Sequence, residues 1–167
     1  MRYLTGEEKQ EAEQFMEIAA EIAKSSTCYR SRCGSIIVKD EEIISQGFNS
    51  PPKNKKLEYC LKDNLPENFK SDKTCCIHAE QRAIMDALKR KSEKLPGSRL
   101  YFIRLSEKGN MTYAGEPYCT ICSKMALDVG ISEFILWHKK GICVYDTEEY
   151  NEVFFGRKKI SLNLNSE

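Results

Sequence analysis

The chain has 167 residues, of which 41% are hydrophobic and 31% charged, values typical of a globular protein with one core. Its formal net charge of +1 gives no basic bias, so nucleic acid is a less favoured partner than a small molecule. No apolar stretch reaches the roughly 18 residues that a membrane span needs, and the acid-rich N-terminus has no apolar signal core. We therefore expect a cytoplasmic protein that does not enter the membrane.

The first half of the chain predicts a helix, a strand hairpin and a long loop. Apolar residues recur at three- and four-residue spacing over 7–24, the pattern of an amphipathic helix. Two β-branched runs, 34–39 and 43–48, flank a short acidic turn and predict a hairpin. Residues 49–76 are irregular and contain several prolines and three cysteines. A loop of this length in a compact domain is usually functional or held in place by another feature.

The second half predicts helices that alternate with strands. The predicted elements are a helix over 77–91, a strand over 100–105, a helix over 119–129, strands over 133–137 and 142–145, a short helix over 147–155 and a flexible tail over 156–167. The tight turn Lys139-Lys140-Gly141 indicates that the last two strands are antiparallel. This element order predicts a mixed sheet flanked by helices, an α/β architecture.

Four residues at the starts of two predicted helices have the pattern of a catalytic zinc site. His78, Cys119 and Cys122 offer three ligands, which leaves the fourth tetrahedral position of zinc open for water. Glu80 lies beside that position without being needed as a ligand, and a carboxylate there is able to move a proton from water to a leaving nitrogen. The set suits hydrolytic loss of ammonia from an amidine-like carbon, such as C4 of cytosine. Taken alone, a CxxC pair is more often structural or redox-active, and that alternative stays open at this point.

The residues also carry a family resemblance. His78-Ala79-Glu80 followed by Cys119-Thr120-Ile121-Cys122 resembles the zinc-dependent nucleoside, nucleotide and nucleobase deaminase superfamily. The segments 26–30, 34–38 and 47–52 are similar to the deoxycytidylate deaminase branch, and the resemblance covers about residues 10–137. It implies one deaminase domain over 1–167 with a cytidine-deaminase-like three-layer α/β/α fold and a five-stranded mixed sheet.

The same resemblance implies roles for individual residues. His78, Cys119 and Cys122 would hold zinc, and Glu80 would be the proton shuttle. Asn49 would contact the sugar and the backbone of Ala79 the pyrimidine edge. For Asn49 a second interpretation stays open, a turn residue ahead of two prolines. The resemblance also implies a homo-oligomer.

Two groups of residues outside this set have open interpretations. Arg82 stands where the branch commonly has Asn, and either reaches into the pocket or lies on the helix surface. The lysines of the long loop are either solvated or attract a substrate phosphate; they are Lys53, Lys55 and Lys56.

The remaining cysteines raise the hypothesis of a second, structural zinc. Without a signal peptide, eight cysteines indicate metal binding or reduced thiols rather than disulfides. By resemblance, Cys28 and Cys60 match positions that hold such a zinc in some deoxycytidylate deaminases, and Cys76 falls near another such position. Either Cys75 or Cys33 would complete four thiolates. Structural zinc would order the long loop. The alternative is a set of reduced, partly buried thiols.

Three hypotheses for function follow. The first is a zinc hydrolase that deaminates a cytosine nucleotide or nucleoside of the dCMP or CMP type. The second is a nucleic-acid editing deaminase that acts on cytidine or adenosine in RNA; it must track phosphates, which the near-neutral charge does not favour. The third is a non-catalytic zinc module used for assembly, against which the presence of Glu80 argues, since a structural site does not need it.

Overall fold

The computed structural model describes residues 1–66, 68, 75–115, 117 and 119–153. Seven strands and four α-helices occur within these residues. In chain order they are β1 (Arg2–Tyr3), α1 (Gly6–Ala23), β2 (Arg32–Lys39), β3 (Glu42–Phe48), α2 (Ala79–Arg90), β4 (Arg99–Leu105), β5 (Met111–Thr112), α3 (Thr120–Asp128), β6 (Glu133–His138), β7 (Gly141–Asp146) and α4 (Thr147–Val153). Short 3-10 turns occur at Pro52–Asn54, Leu61–Asn64 and Ser92–Lys94. The predicted flexible tail over 156–167 lies outside the described residues.

The strands form one mixed sheet in the order β1-β7-β6-β4-β2-β3, with β5 paired to β4. Among the strands of the described residues, only β4 and β6 are parallel neighbours; the other pairs are antiparallel. The prediction that the last two strands are antiparallel is confirmed, because β6 and β7 pair from Glu133↔Asp146 to His138↔Gly141. The predicted number of five strands is wrong. The two extra strands, β1 and β5, have two residues each, too few for a period-two pattern to be visible in the sequence.

Helices cover both faces of the sheet, so the predicted three-layer α/β/α architecture is confirmed. On one face α1 buries Ala12, Met16, Ala19 and Ala23 against strand residues such as Ile36 and Tyr101. On the other face α2, α3 and α4 bury a second cluster against alternate residues of the same strands, including Ile37, Leu100 and Phe134. Because both faces are covered, the central strands are apolar on both sides, as β2 shows with six consecutive buried residues. None of the helices in the described ranges is long and apolar enough to cross a membrane.

The backbone of the sheet and the helices approaches closely at two glycines. A Cβ atom added at Gly47 of β3 would lie 2.5 Å from the Ala83 nitrogen and closer still to the Ala79 carbonyl oxygen, both in α2. A Cβ added at Gly34 of β2 would meet α1 in the same way, 2.8 Å from the Ala23 nitrogen. Gly47 therefore fixes the depth at which the start of α2 packs on the sheet.

The ends of the long loop are tied together where α2 begins. The Ser50 nitrogen donates to the Ile77 carbonyl at 3.2 Å, and the Ile77 nitrogen donates to the Ser50 carbonyl at 2.9 Å. The helix then begins one residue after His78, which is extended (φ −70°, ψ 156°) and serves as its N-cap. The predicted helix start at residue 77 is thus two residues too early, because this bridge holds Ile77 in an extended conformation.

Candidate metal centre and active site

Three side chains converge between the N-termini of α2 and α3. His78 is the N-cap of α2, Cys119 is the N-cap of α3, and Cys122 lies in the first turn of α3. The ligand atoms of these three residues all lie within 4.8 Å of one another, and His78 Nδ1 is 3.3 Å from Cys122 Sγ. One imidazole and two thiols are ligands that zinc prefers, and three protein ligands leave its fourth position open. The predicted zinc ligands are therefore brought together in an arrangement that fits the ion.

The thiols of Cys119 and Cys122 differ in pKa. Hydrogen bonding with Cys122, supported by His78, lowers the pKa of Cys119 to about 4. The same contact, together with burial, raises the pKa of Cys122. Hydrogen bonding with Cys119 raises the pKa of the His78 imidazole. The pair therefore favours a thiolate on Cys119 beside the His78 ring, and a dication bound here would displace the remaining protons.

Glu80 lies in the first turn of α2, where the sequence predicts it, and is only 6% exposed. Burial raises the pKa of its carboxyl group. Glu80 lines the same cavity as His78 and Cys119 but is not one of the three clustered ligands. Glu80 is outside the ligand group, and burial favours the protonated form of its carboxyl group. Such a carboxyl group is suited to accept and return a proton.

The cavity in front of these residues has a volume of about 250 Å³. Its lining includes both predicted substrate contacts, Asn49 and Ala79. Its apolar surface comes from Phe102, Leu136, Ala114 and Tyr150, and its cations are Arg30, Lys62 and Arg104. The loop lysines that the sequence suggested as phosphate contacts, Lys53, Lys55 and Lys56, are not among the residues that line it.

Asn49 has a structural role in addition to its place in the cavity. Its Oδ1 accepts hydrogen bonds from the Cys33 nitrogen at 2.7 Å and from Ser26 Oγ at 2.8 Å, and its Nδ2 donates to the Ser31 carbonyl at 2.8 Å. An amide oxygen accepts two hydrogen bonds and an amide nitrogen donates two. Asn49 therefore retains one N–H for a substrate, and both interpretations of this residue are compatible with its contacts.

We expect Asn49→Ala to lower the free energy of unfolding by about 1–3 kcal/mol, because it leaves the buried Cys33 nitrogen without its acceptor. Urea unfolding measures the change. Asn64→Ala, at an exposed position of a 3-10 turn, is the matched control and should stay within about 0.5 kcal/mol of wild type. Equal stability of the two variants would show that the Asn49 contacts do not hold the loop.

The four cysteines proposed for a second zinc lie near one another along one wall of the same cavity. We call Cys28, Cys60, Cys75 and Cys76 the thiol cluster. The sulfur of Cys75 is 3.9 Å from that of Cys60 and 3.8 Å from that of Cys76, and Cys28 is a hydrogen-bonding neighbour of Cys76. Burial raises the pKa of the Cys60 and Cys76 thiols. Among the described residues only the His78 group has all its ligand atoms within 4.8 Å, so the thiol cluster is the looser arrangement.

Arg82 does not reach into the cavity. Its guanidinium lies 5.7 Å from the centre of the Phe48 ring and donates to the carbonyl oxygens of Pro51 and Ser50 at 3.1 and 3.4 Å. Arg82 therefore lies on the helix surface, which was one of its two interpretations. There it also binds the start of the long loop.

Several cavity residues were not identified from the sequence, among them Arg104 and Tyr150. Arg104 follows the run Leu100–Ile103 in β4 and shares a face with Phe102, so period-two alternation in β4 was an available signal. Tyr150 gave no comparable signal, because the side of α4 that meets the cavity depends on how α4 packs.

The fold and the site define a class of protein: a three-layer α/β/α domain with a His/Cys/Cys centre at two helix N-termini and a buried glutamate beside it. The chain belongs to the cytidine and deoxycytidylate deaminase zinc-binding family, whose model matches residues 9–138. This confirms the resemblance seen in the sequence.

Individual relatives agree with this family. A deoxycytidylate deaminase of Mycobacterium phage D29 is 30% identical over 131 residues, which cover 74% of this chain and 91% of that protein. The deoxycytidylate deaminase of Saccharomyces cerevisiae is 28% identical over 126 residues, 72% of this chain but only 35% of the relative. The chain thus matches about a third of the length of the yeast protein.

Solved structures show the same fold. The dCMP deaminase of cyanophage S-TIM5, solved in complex with dCMP and dUMP, has a TM-score of 0.54 and 25% identity, over 78% of this chain and 82% of that chain. A cytidine deaminase from Burkholderia pseudomallei has a TM-score of 0.55 at 14% identity, over 83% of this chain and 94% of that chain, which is a likeness of fold alone.

Proposed function

We propose that this chain is a single zinc-dependent deaminase domain that converts a cytosine nucleotide of the dCMP or CMP type to the uracil nucleotide and ammonia. The observation that carries the proposal is the position of Glu80. It is buried in the cavity beside His78, Cys119 and Cys122, yet it is not part of that ligand group. A purely structural zinc site has no use for a buried carboxyl group at this place.

In the proposed reaction one water adds to C4 of cytosine and the amino group leaves as ammonia. His78, Cys119 and Cys122 would hold zinc, which when bound would supply a Lewis acid that makes water nucleophilic near neutral pH. Glu80 accepts a proton from the water and returns it to the leaving nitrogen, so that atoms and charges balance. The backbone of Ala79 contacts the pyrimidine edge, and the remaining N–H of Asn49 donates to the sugar.

The charged and apolar residues of the cavity lining support a nucleotide, rather than a free base, as the substrate. Arg30, Lys62 and Arg104 give the lining three cations, and guanidinium groups bind phosphate well. Phe102 and Leu136 provide an apolar surface for the ring. The relatives named as deoxycytidylate deaminases, and the phage structure that holds dCMP and dUMP, support the same substrate class.

A turnover panel tests the proposal. Zinc-loaded protein is assayed for ammonia release and for the change in absorbance with cytosine, cytidine, deoxycytidine, CMP, dCMP and a cytidine-containing RNA oligonucleotide. We expect the monophosphates to have the highest kcat/KM and the chelator-treated protein to lose activity. Turnover of the oligonucleotide without turnover of monophosphates would contradict the proposal in favour of nucleic-acid editing.

We also propose that the thiol cluster holds a second, structural zinc. A tetrahedral zinc with sulfur at about 2.3 Å separates its ligands by about 3.8 Å, which matches the two sulfur–sulfur distances in the cluster. Burial raises the pKa of the Cys60 and Cys76 thiols, and a bound cation would stabilise their thiolate forms. Such an ion would add to the contacts of the described part of the loop, among them the Arg30–Asp63 ion pair.

Metal analysis of the purified protein should give two zinc ions per chain. Cys60→Ser should bind one and unfold at a lower temperature, whereas Cys143→Ser, a buried thiol of β7 outside both groups, should retain two. One zinc in the wild-type protein would remove the second site.

We further propose a homo-oligomer. Large apolar side chains on α2 and α3 remain partly exposed in the single chain; Met85, Leu88, Ile121 and Leu127 are 38–49% exposed. Sedimentation equilibrium tests this, and a monomer at micromolar concentration would contradict it.

A further inference from the structure

The thiol cluster lines the cavity, yet no step of the deamination proposed above uses its sulfurs. Cys75 has a sulfur neighbour on two sides, Cys60 at 3.9 Å and Cys76 at 3.8 Å. Cys75 is partly exposed, whereas Cys60 is only 3% exposed. Both line the cavity. A small reagent that enters the cavity therefore reaches Cys75 more readily than Cys60 and finds a second sulfur close to the first.

The spacing of these sulfurs favours one of the two possible disulfides of Cys75. An S–S bond is about 2.05 Å long, so the sulfurs of Cys60 and Cys75 have to approach each other by roughly 2 Å. A bond between Cys75 and Cys76 is less favourable, because neighbouring Cα atoms across a trans peptide are about 3.8 Å apart. Disulfides usually join Cα atoms separated by about 4.4–6.8 Å. Cys60 is thus the better partner of Cys75.

The backbone at Cys60 sets the position of two cavity cations. The Cys60 carbonyl accepts a hydrogen bond from the Asp63 nitrogen at 2.9 Å, at the start of the 3-10 turn Leu61–Asn64. Lys62 of this turn lines the cavity, and Asp63 forms an ion pair with Arg30. Arg30 lines the cavity as well and is a charged neighbour of both Cys60 and Cys75. A shift of Cys60 towards Cys75 therefore moves Lys62 and disturbs the Arg30 ion pair.

The backbone after Cys75 is held separately from the metal centre. The two hydrogen bonds between Ser50 and Ile77 lie between Cys75 and His78 along the chain. They hold the start of α2 while Cys75 moves. A bond between Cys60 and Cys75 should therefore act on the cationic part of the cavity and leave the His78 group in place.

From these contacts we propose that Cys60 and Cys75 form an oxidation site, at which a hydroperoxide converts the two thiols to a disulfide that weakens nucleotide binding. Formation of the bond needs only the two sulfurs, whereas its effect on turnover rests on the proposed deaminase function. The site would make deamination of the nucleotide sensitive to the redox state of the surroundings.

The oxidation proceeds in two balanced steps. The Cys75 sulfur attacks an oxygen of hydrogen peroxide, the O–O bond breaks, and a sulfenic acid and one water form. The Cys60 sulfur then attacks the Cys75 sulfur, the S–O bond breaks, and the disulfide and a second water form. The thiols lose two electrons, the peroxide gains them, and the two thiol protons end in the waters. The zinc proposed for the cluster loses two of its four ligands and is released as Zn²⁺.

Limited oxidation tests the site. Reduced, zinc-loaded protein is treated with a small excess of hydrogen peroxide, and disulfides are located by mass spectrometry of unreduced peptides. We expect a peptide pair linked through Cys60 and Cys75, with release of the cluster zinc to a chromophoric chelator. KM for dCMP should rise about tenfold, the effect of losing roughly one hydrogen bond to a charged group, while kcat stays close to its starting value. Dithiothreitol with added zinc should restore KM.

Two variants identify the pair. In Cys75→Ser, peroxide should leave KM at the value of the untreated variant, and Cys60→Ser should behave in the same way. Cys143→Ser removes a buried thiol of β7 outside the cluster and should respond like wild type. Thermal unfolding shows which samples are folded, and Cys60→Ser serves where Cys75→Ser does not fold.

Three results would contradict the inference or the function on which it acts. A first disulfide at another pair, such as Cys119 with Cys122, would overturn the oxidation site. An unchanged KM in protein that carries the Cys60–Cys75 bond would overturn its effect on nucleotide binding and leave the proposed function standing. Absence of turnover of any cytosine nucleotide by the reduced, zinc-loaded protein would overturn the proposed function, and the mapped disulfide would still decide the oxidation site.

Discussion

Glu80→Gln is expected to lower the turnover of dCMP by about 10²–10⁴-fold while the protein keeps its zinc. That range is the usual contribution of a positioned general acid or base. Glutamine has nearly the same shape as glutamate but neither accepts nor returns a proton under these conditions. Since Glu80 is not among the clustered ligands, the zinc content of the variant should equal that of wild type.

The control for this prediction is Asp86→Asn, which changes a carboxylate on the same helix. Asp86 pairs with Arg90 on the exposed side of α2 and does not line the cavity, so turnover should remain within about twofold of wild type. Full activity of Glu80→Gln would mean that the proton passes through another group. Loss of zinc together with loss of activity would mean that Glu80 is needed to hold the ion.

Gly47→Ala is expected to lower the free energy of unfolding by about 3 kcal/mol or more. The added methyl group would overlap the backbone of α2 at Ala79 and Ala83, and neither atom is the end of a flexible side chain. The helix has to move away from β3. Because His78 caps this end of α2, the movement also displaces a zinc ligand from Cys119 and Cys122.

Gly34→Ala is the matched comparison, since its methyl group would overlap the backbone of α1 on the opposite face of the sheet. Both variants should unfold at lower urea concentration. Only Gly47→Ala should also bind zinc more weakly in the part of the sample that remains folded, as measured by competition with a chromophoric chelator. Equal zinc affinity in the two variants would show that the start of α2 adjusts without moving His78.

The sequence was most informative where function depends on residues close together in the chain. The spacing of Cys119 and Cys122 places both sulfurs at one helix start, and Glu80 follows His78 within a single turn. Local geometry alone therefore brings the two members of each pair near one another. The main strands were predictable because both faces of the sheet are covered and their apolar runs are long. The strands β1 and β5 were not, because two residues carry no periodic signal.

Contacts between distant parts of the chain were harder to predict. The proximity of Cys28 to Cys76 depends on how the long loop folds back on the start of β2, and no local pattern encodes that path. The same applies to Tyr150, whose place in the cavity follows from the packing of α4 on α3. For Asn49, the sequence suggested either a turn residue or a substrate contact; its three hydrogen bonds to distant residues could not be foreseen, and its contact with a substrate stays a prediction.

The paired hydrogen bonds between Ser50 and Ile77 make the geometry of the metal centre independent of the length of the segment between these two residues. Once the two ends are fastened, the cost of closing the segment rises only slowly with the number of residues, by about 0.6 kcal/mol for each doubling. Apart from its three cysteines, the segment between Ser50 and Ile77 is therefore expected to tolerate gain or loss of residues without a shift of His78. This stretch of chain is the natural place for related proteins to differ in length while sharing one chemistry.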